Sequence, residues 1–363
     1  MVESLRIRGR LTDSGEPAAL WLDGGRIGSE PVRGARDLPG QWWISPGLVD
    51  AHCHIGLAGG GRVDAATVKT QAETELAAGV TFLRDAGSPA PTAWVSGRTG
   101  MPTIIRAGRH IARPKRYLRH FGAEVQPEDL VAEVERQVAN GDGWIKLVGD
   151  WIDREVGDLT PLWPIDIATA AIDRAHELGA KVTAHCFSEQ SVQELVRAGL
   201  DCVEHGTGLD AETIELMASR SVALVPTMAN LENFPDIAAS GEAKFPTYAA
   251  HMRALFDSRL QVIGQAVEAG VQVYAGTDAG GVMPHGLIAR EVELMASVMG
   301  AEAAVAAASW QARTWLGAPG LAAGDPADLV LYADDPRQDP RVLRDPAYVI
   351  VDGLVVAGSQ LRW

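Results

Sequence analysis

The stretch LVDAHCHI, residues 48–55, starts apolar and ends on a His-x-His pair. It is the first of eight runs of this kind. The others are VTFLRDAG (80–87), TIIRAGRH (103–110), WIKLVGD (144–150), KVTAHCF (181–187), CVEHGTG (202–208), VALVPTMAN (222–230) and VQVYAGTDAGG (271–281). Each is mostly apolar, as a strand buried on both faces must be. Between most of them lie stretches of helical period, at 63–78, 128–140, 165–178, 189–198 and 249–269. Gly79, Gly179, Gly199 and Gly270 stand where those helices should end, which suits a left-handed cap. Strands alternating with helices imply a parallel sheet, and eight repeats imply a closed (β/α)8 barrel. The connection SPAPTAWVSGRTGMP (88–102) is too short and too rich in Pro and Gly for a full helix. Residues 113–125 read as a loop over one barrel mouth.

The two ends of the chain read differently. LRIRGRLT (5–12), AALWLDGGRIG (18–28) and QWWIS (41–45) are short strands broken by turns, and so are ADLVLYADD (327–335) and AYVIVDGLVVAG (347–358). We therefore expect a small discontinuous β-sandwich domain from residues 1–48 plus 323–363, around a barrel domain of residues 49–322.

Composition narrows the function. The formal net charge is -15, which argues against nucleic acid and anionic membrane as partners, since both are polyanions. A small molecule is the expected partner, and a homo-oligomer is possible. The three cysteines, Cys53, Cys186 and Cys202, have neither disulfide-scaffold nor metal-finger spacing. The opening MVESLRIRGR is charged where a signal peptide needs an apolar core. A cytoplasmic protein, neither secreted nor membrane-embedded, is the expectation.

The chemistry lies in where the polar residues fall. His52 and His54 end the first run, Lys146 lies in the fourth, His185 ends the fifth, His205 the sixth and Asp278 the eighth. In barrels of this class the carboxyl ends of the strands line the active site. Two histidines two apart on a strand share a face, so both imidazoles can reach one cation. Imidazole and carboxylate suit zinc and its first-row neighbours. A lysine inside WIKLV is costly to bury. Either its stem is buried and its head reaches water or an acid such as Asp150, or its neutral amine carries a carboxyl group from carbon dioxide.

The pieces GLVDAHCHI (47–55), WIKL (144–147), VTAHC (182–186), VEHG (203–206) and AGTDAGG (275–281), with GDPADLVLY (324–332) and VIVDGLVV (349–356), resemble the amidohydrolase superfamily over nearly the whole chain. They look most like its binuclear, prolidase-like and imidazolonepropionase-like branch. The resemblance implies that His52, His54 and Asp278 hold one divalent metal ion, zinc by the family pattern, and His185 and His205 a second. Carboxylated Lys146 would bridge them. The implied reaction is cleavage of an amide-type C–N bond, in a dipeptide or N-acyl amino acid, by a metal-bridging hydroxide. Asp278 would carry the proton to the leaving amine, making Asp278 and Lys146 the catalytic pair. Rival readings are a deaminase or cyclic-amide hydrolase acting on a nitrogen heterocycle, a lactone or phosphotriester hydrolase, and a non-catalytic binding module.

Substrate contacts are sought in the loop after the third run. It holds Arg109, His110, Arg113, Lys115, Arg116, Arg119 and His120 in an otherwise acidic chain. Arg113 could grip a substrate carboxylate with its planar fork. Tyr117 could donate to a substrate carbonyl. Prolidase-like sequences tend to carry Gly-Gly-His here, whereas His120 follows Leu118-Arg119. His285, soon after the eighth run, is a further candidate contact. His176 and His251 lie in helical stretches and are expected on the outside. Trp42, Trp43 and Trp144 read as core or interface residues, and Trp151 as a pocket wall.

Overall fold

The computed structural model describes residues 3–28 and 30–361; residues 1–2 and 362–363, the outermost parts of the expected terminal domain, lie outside the described residues. The two ends of the chain join in one eight-stranded sheet. Strands Leu5–Leu11, Pro17–Asp23, Arg26–Gly28, Arg36–Asp37 and Trp42–Pro46 come from the start, and Leu329–Tyr332, Tyr348–Val351 and Leu354–Ala357 from the end. The seam is an antiparallel pairing of Leu329–Tyr332 with Trp42–Pro46, register Leu331 to Ile44. Leu5, Ile7, Leu22, Ile27, Ile44, Leu329, Leu331 and Ile350 bury one continuous apolar face.

The middle of the chain alternates strands with helices. Leu48–Cys53, Val80–Asp85 and Thr103–Arg106 form one parallel sheet. Trp144–Val148, Lys181–Cys186, Cys202–His205 and Ala223–Val225 run parallel within a second. Within the third run only Thr103–Arg106 is a strand and pairs with the second; just past the run, Ile111–Ala112 pairs with the fourth at Leu147. The third run and the strand that follows it thus bridge the two sheets. The eighth run is not a regular strand, yet on one side Leu224 donates its N–H to the Gln272 carbonyl and accepts from Tyr274 N. On the other, Ala51 and His54 donate to Ala275 and Ala279, and Asp278 donates to His52.

Helices Ala65–Ala77, Leu130–Asn140, Ile165–Glu177, Glu189–Arg197 and Pro246–Glu268 fall where the periodicity places them. Gly79, Gly179, Gly199 and Gly270 follow four of them with φ of 89°, 79°, 105° and 82°, a backbone that only glycine adopts without strain. Periodicity did not reveal Ala211–Arg220, the short Met228–Leu231 and Phe234–Gly241, or Ile288–Met299, Ala301–Ala307 and Trp310–Leu316. No helix among the described residues is long and apolar enough to cross a membrane.

At the amino ends of the parallel strands an aromatic plug closes the core. Tyr274 stacks on Trp315 at 4.3 Å, and Trp144 meets Trp315 edge-on at 5.4 Å. The Arg84 guanidinium lies 4.5 Å over Trp144. All three cysteines are buried and free.

Candidate metal centre

A β-bulge shapes the first half of the site. Pairing between Leu48–Cys53 and Val80–Asp85 slips between Asp50 and Cys53. Such a slip re-aims side chains beside active sites. Asp50, fully buried, ties the bulge down: it accepts from His52 N at 3.1 Å and Thr277 N at 3.0 Å. Gly276 is required here, because a Cβ would stand 2.7 Å from the His52 Cβ. The result brings His52 Nε2 within 2.9 Å of Asp278 Oδ1, and His54 Nε2 within 3.2 Å of the same oxygen. His52, His54 and Asp278 each offer a ligand atom within 4.8 Å of the others.

The second half faces it. His205 Nε2 lies 3.0 Å from His185 Nδ1, and the His205 ring is centred 5.5 Å from that of His52. Lys146 approaches from below, its Nζ against Glu204 Oε2. All of these side chains except Asp278 are buried; Asp278 keeps 18% of its side chain exposed, so the centre has a mouth.

The back of each ring decides what its front can do. His54 Nδ1 lies 2.7 Å from the Gly87 carbonyl, which can only accept, so Nδ1 carries the proton and Nε2 keeps its lone pair. His52 Nδ1 faces Glu204 Oε1 at 3.4 Å, and His205 Nδ1 bonds Thr227 Oγ1 at 2.6 Å. Burial depresses the imidazoles: His52 falls to about 3, and His185 and His205 well below their usual range. Neutral rings thus turn lone pairs toward one another and toward a carboxylate. Back-bonded histidines converging on an acid are what a divalent cation requires. The residues present fit the group: His52, His54 and Asp278 for one cation, His185 and His205 for a second. Burial also lowers Lys146 to about 7, so an uncharged amine is within reach at neutral pH.

The loop residues separate sharply. Tyr117 enters the site, its ring 5.3 Å from His110, 4.7 Å from Trp151 and 5.8 Å from His185. Arg113 is half-buried; it donates to the Leu162 carbonyl at 3.3 Å, its Nε is buried without a partner, and no carboxylate among the described residues pairs with it. Arg116 is spent on Asp153, Trp151 O and Thr160. His120 is exposed and lines a cavity of about 500 Å³ with Arg109, Lys115 and Arg119, apart from the histidine group. His285 bonds Glu75 Oε1 at 2.8 Å and fastens its loop to the helix Ala65–Ala77. His176 bonds Asp201 at the surface, and His251 bonds Asp158 and Glu189.

Four residues in the site were not singled out from sequence. His110 is 1% exposed, with its ring 5.7 Å from His54 and Nε2 unpartnered. Glu204 is a fully buried acid inside an apolar strand, the same signal that marks Lys146. Thr227 and Asn230 lie in VALVPTMAN, where nothing in spacing distinguishes them. Asn230 Nδ2 donates to Asp278 Oδ2 at 2.7 Å.

Comparison with known proteins agrees with this geometry. Residues 43–358 match the model of the amidohydrolase family. An uncharacterized protein of Mycobacterium tuberculosis is 52% identical over 351 residues, 96% of this chain and 95% of that protein. A solved Xaa-Pro dipeptidase with bound methionine superposes with TM-score 0.81 at 22% identity, over 97% of this chain and 99% of that one. The ochratoxinase of Aspergillus niger superposes with TM-score 0.78 at 21% identity, over 98% and 96%. With a matching family model over most of its length, this chain belongs to the amidohydrolase family and is a hydrolase of that family.

Proposed function

We propose that the protein is a metal-dependent enzyme that hydrolyses an amide-type C–N bond in a dipeptide or N-acyl amino acid, on a closed (β/α)8 barrel capped by a small terminal β-sandwich. The observation that carries this reading is the convergence of His52 and His54 on Asp278, with His185, His205 and the buried Lys146 beside them. The Xaa-Pro dipeptidase and the ochratoxinase with the same fold support it.

In this reading two divalent cations, zinc by donor type, supply Lewis acidity and a water that ionises near pH ~7. His52, His54 and Asp278 hold one, His185 and His205 the other, and Lys146, carboxylated by carbon dioxide, lies between. Asp278, partly exposed and held by Asn230, moves a proton toward the leaving amine. Tyr117 orients the scissile carbonyl. Arg113, with free donors and no acid of its own, takes the substrate carboxylate. The buried free thiols fit a cytoplasmic setting.

The test is a screen of cation-loaded protein against dipeptide and N-acyl amino acid libraries, with cations counted per chain and Lys146→Ala in parallel. Two cations, turnover of a carboxylate-bearing amide and loss of both with Lys146→Ala are expected. One cation with an unmodified Lys146 and activity only on nitrogen heterocycles would overturn the proposal in favour of a deaminase or cyclic-amide hydrolase.

A further inference from the structure

Two of the candidate ligands owe their orientation to one short segment. Thr227 Oγ1 bonds His205 Nδ1 at 2.6 Å, and Asn230 Nδ2 donates to Asp278 Oδ2 at 2.7 Å. Three residues apart, they touch opposite halves of the centre. The backbone around them is strained: Thr227 has φ +47°, His205 +67° and Asp278 +57°. A β-branched residue with positive φ is an outlier that persists only where its surroundings enforce it, and such strain gathers at functional sites.

The segment that follows Thr227 is held by Glu291, in the helix Ile288–Met299. Its side chain is fully buried, and its two oxygens accept from Met228 N at 2.8 Å and Ala229 N at 2.7 Å. These are the backbone amides between Thr227 and Asn230. No Lys, Arg or His among the described residues lies within ion-pair distance of the Glu291 carboxylate, and burial pushes it up to about 8. A buried acid spent on two backbone amides is a costly way to hold a turn, unless the turn itself must be placed accurately.

We propose that Glu291 is a positioning residue for the metal centre: by clamping Met228 and Ala229 it fixes Thr227 and Asn230, which orient His205 and Asp278 toward the cations. This rests on the proposed function in assuming a cation there. With His205 Nδ1 engaged by Thr227, Nε2 is the free ligand atom; with Asn230 on Oδ2, Asp278 Oδ1 is left to face the histidines.

The test is Co²⁺ titration of the metal-free chain, followed by the visible absorption of the bound ion, in Glu291→Gln, Thr227→Val and Thr227→Ser. Glu291→Gln puts an amide where one backbone N–H needs an acceptor. It is expected to weaken Co²⁺ binding about tenfold or more and to alter the visible band. Thr227→Val keeps the shape but not the hydroxyl, with an expected loss of about 10–100-fold. Thr227→Ser restores the hydroxyl and should recover most of that loss, which a merely structural role for Thr227 would not produce. Wild-type affinity and spectrum in Glu291→Gln would overturn the inference, whatever Thr227→Val shows. Should Glu291→Gln not fold, Glu291→Asp, which keeps the carboxylate but shortens its reach to Met228 N and Ala229 N, takes its place with the same two readouts. A chain that binds no Co²⁺ in any form overturns the proposed function, and this inference with it; unchanged binding in the variants overturns this inference only.

Discussion

The two ends of the parallel strands are built from the same backbone and carry opposite chemistry. At the amino ends Trp144, Trp315 and Tyr274 pack ring on ring, and the buried Arg84 lies over Trp144 and Trp315 while donating to Ala51 O and Glu204. At the carboxyl ends buried ring nitrogens, His110 Nε2 and His185 Nε2, have no hydrogen-bond partner among the described residues, and the buried Lys146 and Glu204 face each other beneath the histidines. Buried polar atoms without partners cost stability, so one end of the strands holds the fold together and the other spends some of that stability on function.

The comparison breaks most visibly at Asp278. Asp278→Asn keeps the shape but loses the charge and the proton-accepting oxygen. We expect kcat/KM to fall by about 10³-fold or more, with a melting temperature no lower than that of the parent. An Asp278→Asn protein that keeps turnover within tenfold would place the chemistry elsewhere. The opposite experiment is Trp315→Ala. It removes a half-buried ring from the plug and should cost about 2–4 kcal/mol of stability, read by denaturant unfolding. Cation content per folded chain should not change. If cation content falls instead, the two ends are not independent.

The sequence exposed the two ends unequally. Alternating apolar runs and helical stretches announced the parallel strands, because burial on both faces forces that pattern. His52, His54, His185, His205 and Asp278 were legible for a related reason: polar residues ending apolar runs stand out. The aromatic plug was not legible. Trp144, Tyr274 and Trp315 lie far apart in sequence, and one apolar residue in a strand looks like another. The change of neighbour after the third run was hidden too: TIIRAGRH reads as one strand, yet the strand stops at Arg106 and the chain joins the next sheet only at Ile111–Ala112. His110 was concealed among six other basic or histidine residues of its loop, of which only burial singles it out. Glu291 and Thr227 act through backbone amides and a ring nitrogen, contacts that leave no periodic trace.

Arg113 sharpens the comparison on the substrate side. If Arg113 grips the substrate carboxylate as proposed, truncation to Ala should raise KM for a carboxylate-bearing amide about 10–100-fold and leave kcat within threefold, since such a grip would serve substrate and transition state alike. Arg116→Ala, which loses bonds to Asp153 and Thr160, should instead lower stability. The reverse pattern would exchange their roles.

The smallest effect tests whether the carboxyl end also has fasteners of its own. His251 joins the helix Pro246–Glu268 to Asp158 at 2.9 Å and to Glu189 at 3.0 Å. The bond to Glu189 raises its pKa most; burial opposes, and Asp158 adds, bringing it to about 9. The unfolded chain binds that proton only below about 6.5. The folded state therefore holds the proton more tightly, and the stabilisation is full below about pH 6.5 and disappears as pH rises through about 9. Because Glu189 is largely exposed, solvent screens the pair, and about 1 kcal/mol is the expected size. Unfolding measured from pH 6 to 9.5 should show this loss in the parent and not in His251→Asn. Equal slopes in the two would mean that the ion pairs are ornamental, and that the carboxyl end relies on the amino-end plug for its stability.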